Sequence, residues 1–264
     1  MYRRFALKSK KGLFFKDTEY IKRWPTAPKV AFFGPPGVFM DEIMNRFSID
    51  LGVPVVSIHN LYSEVQQNAG RTPEFDHPFY IKVKAALDDE DIERREHFLT
   101  EEGIPQKLLR LNHGVQDGFI LMDYPYLPQH CEKMEMYRGG LNAFVHIHME
   151  QDILETLHTV KYTCQDCGRS YYMQGVKDAN RGVHIEPFRP ELEGVCDDCG
   201  STNITEASDE SKEEFMKAFA AYESVKQPML QFYNRYGLLV DFEMKKGFDD
   251  YSKLRQQIQY TIKH

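Results

Sequence analysis

A chain of 264 residues, 42% hydrophobic and 28% charged, has room for one large α/β domain with a full core, or one domain with a sizeable insert. The net charge of −7 argues against a general nucleic-acid binder, whose affinity would rest on a basic face. No apolar run approaches the roughly 18 residues of a membrane span, and five cysteines are an odd number for a disulfide framework.

The first segment, residues 1–28, reads as a basic arm for targeting or docking. Through Lys29 it holds nine basic side chains, Arg3, Arg4, Lys8, Lys10, Lys11, Lys16, Lys22, Arg23 and Lys29, against the acids Asp17 and Glu19. Tyr2, Phe5, Leu7, Leu13, Phe14 and Phe15 are interleaved with them, an acid-poor amphipathic pattern like that of mitochondrial targeting segments. The alternative is a basic arm that docks on an acidic neighbour.

From residue 29 to 264 short apolar runs alternate with helix-like stretches, which predicts a mostly parallel sheet with helices on both faces. In chain order the expected elements are a strand at 30–33, a helix at 41–50, a strand at 54–57 and a helix at 61–68. A loop follows at 70–78, then a helix at 89–100, a strand at 119–122 and a helix at 129–137. Beyond these come a strand at 143–148, a helix at 151–158, and a long helix at 209–236 with Pro228 as a kink or boundary. A strand at 238–242 and a helix at 251–262 complete the set. Cys131 should be buried as a small hydrophobe. His146 and His148 alternate on one strand face, but no third metal ligand is evident beside them, so they read as ordinary polar positions.

The segment 164–199 interrupts this alternation. Cys164-Gln165-Asp166-Cys167-Gly168 and Cys196-Asp197-Asp198-Cys199-Gly200 are two matching knuckles. Each presents two thiolates to one ion, and the following glycine permits the tight backbone. Cys164, Cys167, Cys196 and Cys199 therefore predict a closed, structural Zn²⁺ site that replaces the core so small a module lacks, with iron as the lesser alternative. Asp166, Asp197, Asp198, Glu191 and Glu193 around it would repel phosphate, so a nucleic-acid partner is not expected.

Val30 to Gly37 is a buried strand entering a glycine-rich turn, Gly34-Pro35-Pro36-Gly37, before a helix. That is the setting in which backbone N–H groups and a helix N-terminus cradle phosphate. Phe39, Met40 and Glu42 stand where a working loop needs a second glycine, a lysine and a hydroxyl. Asp41 and Glu42 suit a helix N-terminus electrostatically and would repel a phosphate anion.

Together with Gly118 to Pro125, Glu193 to Gly200 and the Tyr222, Pro228, Tyr233 helix, these motifs resemble adenylate kinases with a zinc-bearing lid. The resemblance covers about 29 to 262. It implies a P-loop NTPase-like α/β three-layer sandwich with a parallel five-stranded sheet. It also implies a helical AMP-side subdomain around 58–90 and an inserted zinc-ribbon lid around 160–206. The family's functional residues would fall on Met40, on Ile58, His59, Asn60 and Ser63, on Met122 and Tyr126, on His130 (or its neighbour Gln129), and on Lys161, Glu206 and Ala218. Gln129 apart, none of these keeps the family's residue. Losing one charge-stabilising donor costs on the order of 10²–10³ in rate and an arginine finger about 10³–10⁵.

The resulting expectation is a non-enzymatic, adenylate kinase-like protein with no catalytic residues. It would serve as a structural accessory subunit among the protein subunits of a large mitochondrial complex, the respiratory chain and complex I first. It would lie on the matrix side or peripheral to the inner membrane, with no transmembrane segment and no settled nucleotide ligand. The alternatives are a nucleotide-binding sensor without turnover and an atypical active nucleoside monophosphate kinase that uses replacement cations drawn from Arg71, Arg94, Arg95, Arg110, Arg169, Arg181 and Arg189. The insert at 174–182 reads as a docking element or a drifted loop.

Overall fold

The computed structural model describes residues 27–58, 60–61, 64–65, 77–89, 91, 94, 97–111, 118–122, 124–136, 140–206 and 209–263. The basic arm up to residue 26 lies outside them.

Five parallel strands form the centre: β1 (Lys29–Phe33), β2 (Val55–Val56), β3 (Phe119–Met122), β4 (Ala143–His148) and β10 (Leu239–Glu243). Their spatial order is β10-β4-β1-β3-β2. Near-continuous apolar runs suit strands covered on both faces, and Ala31, Ile120, Leu121, Phe144 and Val145 are fully buried. The helices α1 (Met40–Leu51), α4 (Pro128–Met136), α5 (Gln151–Thr159), α6 (Asp209–Arg235) and α7 (Tyr251–Lys263) bury their apolar faces in the same core. Cys131 is buried there too, as its sequence context predicts.

Two helices were not expected. The α2 helix (Pro78–Leu87) starts on His77, whose Nδ1 accepts from the Phe79 N–H at 3.1 Å, with Pro78 in the first turn. Histidine is a weak cap signal, so the start is hard to see. The α3 helix (Ile104–Leu111) follows a π-turn at Leu99–Gly103. Leu61, Val65, Phe79, Tyr80 and Val83 form a second small core in this region. Lys107 reaches into it, its Nζ donating to Glu64 at 2.6 Å and 2.8 Å and to the Tyr80 hydroxyl at 3.1 Å.

Of the two roles expected of Pro228, a kink or a boundary, it is not a boundary: α6 continues through it to Arg235. Pro228 is exposed, and the carbonyl it leaves unpaired belongs to exposed Ser224, where water can satisfy it.

The inserted region consists of a three-stranded antiparallel sheet, β5 (Lys161–Cys164), β6 (Ser170–Tyr172) and β9 (Ile204–Glu206), and a hairpin, β7 (Val176–Asp178) with β8 (Val183–Ile185). Its own core is Cys164, Tyr171 and Cys196, with few apolar neighbours.

Candidate functional site

The turn between β1 and α1 keeps its shape for steric reasons. A Cβ on Gly34 would lie 2.4 Å from the Ile147 carbonyl oxygen, so nothing larger than glycine fits where β1 passes the end of β4. Met40, at the position a lysine would hold, folds back over the turn, its Cε 2.9 Å from that same Cβ position. Phe39 caps α1 in the left-handed region at φ 45° and is buried. Its ring packs on Tyr172 of β6 at 4.5 Å and on Phe248 at 5.0 Å. The Tyr172 hydroxyl donates to the Gly37 carbonyl at 3.3 Å. The inserted sheet is thus seated on the turn.

It brings a cation there. Arg169, next to the glycine of the first knuckle, lies with its guanidinium 3.5 Å from Glu42 and pairs more closely with Asp198. The guanidinium also sits over the rings of Phe188 and Tyr171, at 5.3 Å and 5.6 Å. Its Nε is buried and has no hydrogen-bond partner among the described residues. Burial pushes the Glu42 carboxyl above its ordinary value, and Arg169 opposes that shift. The Arg169 guanidinium offsets part of the charge that Glu42 places at the turn. The side chain of Asp41 is outside the described set.

The other candidate cations are engaged elsewhere or lie outside the described residues. Arg181 binds Asp178, Glu150 and Asp152, Arg189 donates to the Met173 carbonyl, and Arg94 pairs with Asp89 and Asp91. Arg71 and Arg95 are not described, nor is the side chain of Arg110. Among the described arginines of that group, Arg169 alone sits at the turn, and nothing in its sequence context ranks it first.

On the other side of the sheet's carboxyl edge, His130 is buried, its Nε2 3.0 Å from Glu101 and its ring stacked on Tyr124 at 5.1 Å. Burial holds its pKa below that of a free imidazole, against the pull of Glu101. Its Nδ1 is buried with no partner among the described residues. Ile58 and Asn60 lie near the start of the second small core, whereas His59 and Ser63 are not described.

The four knuckle cysteines converge. All four sulfurs lie within 4.8 Å of one another, with Cys164–Cys199 at 3.6 Å and Cys167–Cys196 at 3.5 Å, and none is in a disulfide. A tetrahedral ion with metal–sulfur bonds of about 2.3 Å spaces its sulfurs about 3.8 Å apart, so the set could hold a metal such as zinc. Burial opposes ionisation of Cys196, but the Tyr171 hydroxyl and the N–H groups of Cys199 and Asp198 outweigh it and bring the thiol down to about 6. The thiolate is the form that binds metal.

A five-stranded parallel sheet with a glycine turn opening onto a helix, and an inserted cysteine-knuckle module seated on that turn, are consistent with the α/β fold of the adenylate kinase type. No family model matches the chain. An adenylate kinase of Caldanaerobacter subterraneus subsp. tengcongensis is 24% identical over 84% of this chain and 91% of its own length. One from Syntrophotalea carbinolica is 24% identical over 87% of this chain and 96% of its own. One from Allorhizobium ampelinum is 32% identical over 47% of this chain and 53% of its own. The chain is similar to adenylate kinases over most of its length.

These similarities correct the expectation of a non-enzymatic protein. The curated relatives named here are all adenylate kinases, and they point to a nucleoside monophosphate kinase. Arg169, one of the replacement cations the sequence offers, comes from 129 residues beyond Met40 to lie at the turn, a placement set by the fold rather than by any single position along the chain.

Proposed function

We propose that the chain is an atypical nucleoside monophosphate kinase, transferring a phosphoryl group between nucleotides, in which Arg169 supplies the positive charge that Met40 does not. Phosphoryl transfer depends on positioning and charge stabilisation, and a guanidinium presents a fork of donors to phosphate oxygens. The observation that carries this reading is the seating of Arg169 at the turn, 3.5 Å from Glu42. A bound phosphate would compete with Glu42 and Asp198 for it. His130, where the family resemblance places the AMP-recognising glutamine, offers its unmatched Nδ1 to a base. Zn²⁺ on Cys164, Cys167, Cys196 and Cys199 would hold the lid in shape, with no open position for chemistry.

The test is ADP formation from ATP, AMP and Mg²⁺ by the zinc-loaded protein, beside Arg169→Ala. Turnover that falls by about 10²–10³-fold in the variant supports the assignment. No ADP above background, or equal turnover in both, overturns it.

The arm supports a separate proposal, a mitochondrial address, because nine basic side chains face two acids up to Lys29. The same charge suits docking on acidic subunits of a large inner-membrane assembly. A reporter carrying residues 1–28 should be imported by isolated mitochondria in a potential-dependent way, and a reporter that stays outside rejects the address.

A further inference from the structure

We propose that His146, His148 and Asp241 form a second metal site, for a divalent transition ion of zinc type, distinct from the four cysteines. The backbone sets up the cluster. β4 and β10 are parallel neighbours, and their register places Asp241 opposite His146. His148 follows two residues along β4 and so faces the same way. The donor atoms of all three residues lie within 4.8 Å of one another.

The distances suit an ion. A tetrahedral centre with bonds of about 2.0–2.1 Å spaces its ligands about 3.3 Å apart. His148 Nε2 is 3.4 Å from Asp241 Oδ1, and His146 Nδ1 is 2.7 Å from the same oxygen. The first pair fits as it stands, and the second must open by about 0.6 Å. The two imidazoles stack with centroids 4.9 Å apart and planes at 18°.

A hydrogen-bonded pair of His146 and Asp241 would account for two of the three residues but not for His148. The remaining nitrogen of His146 supplies a further observation. Nε2 is 2.6 Å from the Tyr222 hydroxyl, which itself is buried beneath Phe33 and Phe219. A metal-binding imidazole usually engages its other ring nitrogen in such a hydrogen bond, which fixes its orientation. His146 is 3% exposed and therefore rigid, whereas the Asp241 side chain is 53% and that of His148 34% exposed. Water can reach the ion from that side, which leaves a coordination position open. Two nitrogens and one carboxylate select Zn²⁺, Co²⁺ or Cu²⁺ over Mg²⁺ or Ca²⁺.

The test is a Co²⁺ titration of the metal-free protein, followed by absorption. Cobalt on thiolates shows sulfur-to-metal charge-transfer bands. Cobalt on the proposed site shows ligand-field bands without them. The expected result is a second phase lacking charge transfer, lost in His148→Ala and in Asp241→Asn, whose side chains are exposed enough that neither change empties the core. Tyr222→Phe should weaken that phase by about 10–100-fold, and Cys199→Ser should leave it intact. A titration that ends once the thiolate bands saturate, or a second phase that survives both ligand substitutions, overturns the assignment.

Discussion

The rings of Phe39 and Tyr172 meet with centroids 4.5 Å apart and planes at 58°, joining the first residue of the α1 turn to a strand of the inserted sheet. Phe39 reaches that contact from a left-handed backbone at φ 45°, where a side chain costs about 1–2 kcal/mol. The packing outweighs the strain, because emptying a buried Phe position costs about 3–5 kcal/mol. Phe39→Ala keeps the strain and loses the ring, and should destabilise the fold by about 4 kcal/mol. Phe39→Gly relieves the strain and should be about 1–2 kcal/mol less damaging than the alanine variant. Urea unfolding of both variants checks the order, and equal losses would mean that the backbone is not strained.

Removing metal bound by the four cysteines should act on the inserted module alone. Its core is Cys164, Tyr171 and Cys196, whereas the central sheet has an extensive core of its own. Structural zinc supplies about 10–16 kcal/mol of apparent binding free energy at pH 7. With chelator, amide protection in β5, β6 and β9 should collapse while β3 and β4 keep theirs. Hydrogen exchange with and without chelator measures this, and uniform loss across the chain would contradict it.

The thiols should react in two classes. Burial pushes the Cys131 thiol up to about 12, and Cys131 is fully enclosed in the main core. A thiol reagent added with chelator to native protein should modify the four knuckle cysteines and leave the fifth for denaturant. Rapid reaction of all five would show that α4 is not packed as described.

Stability should fall as the pH drops through about 6.5, the range where a free imidazole takes up its proton. Burial depresses the pKa of His130 in the folded state. The unfolded chain therefore binds that proton first, and protonation favours unfolding. The Glu101 carboxyl is held below its ordinary value by Lys133, so its contribution disappears only in more acid solution. Urea midpoints between about pH 7.5 and 5.5 should decline in the parent and decline less in His130→Gln. Parallel curves would remove His130 as the source.

How much of this was legible depended on the strength of each local signal. The strands at 119–122 and 143–148 are bounded as the sequence predicts: Phe119 to Met122 is an apolar run, and Ala143 to Ile147 is apolar but for His146. The β7–β8 hairpin was read as a docking element or drifted loop. Val176-Lys177-Asp178 and Val183-His184-Ile185 are too short to show a period. The knuckle cysteines were found by spacing. Asp241 was not found as a neighbour of His148, since the pairing of β4 with β10 is a property of strand order rather than of either segment.

That hairpin changes how the inserted module can move. Arg181, at its turn, binds Glu150 and Asp152 at the start of α5, at 2.9 Å and 2.7 Å, while His184 donates its backbone N–H to the Lys245 carbonyl at 2.8 Å. The module is moored at this corner as well as through β5 and β9, where it joins the rest of the chain. The ion pairs of that mooring face solvent, and ions in solution weaken them. Ionic strength would then act as a throttle on access to the β1–α1 turn, with salt loosening the door as well as competing for whatever lies behind it.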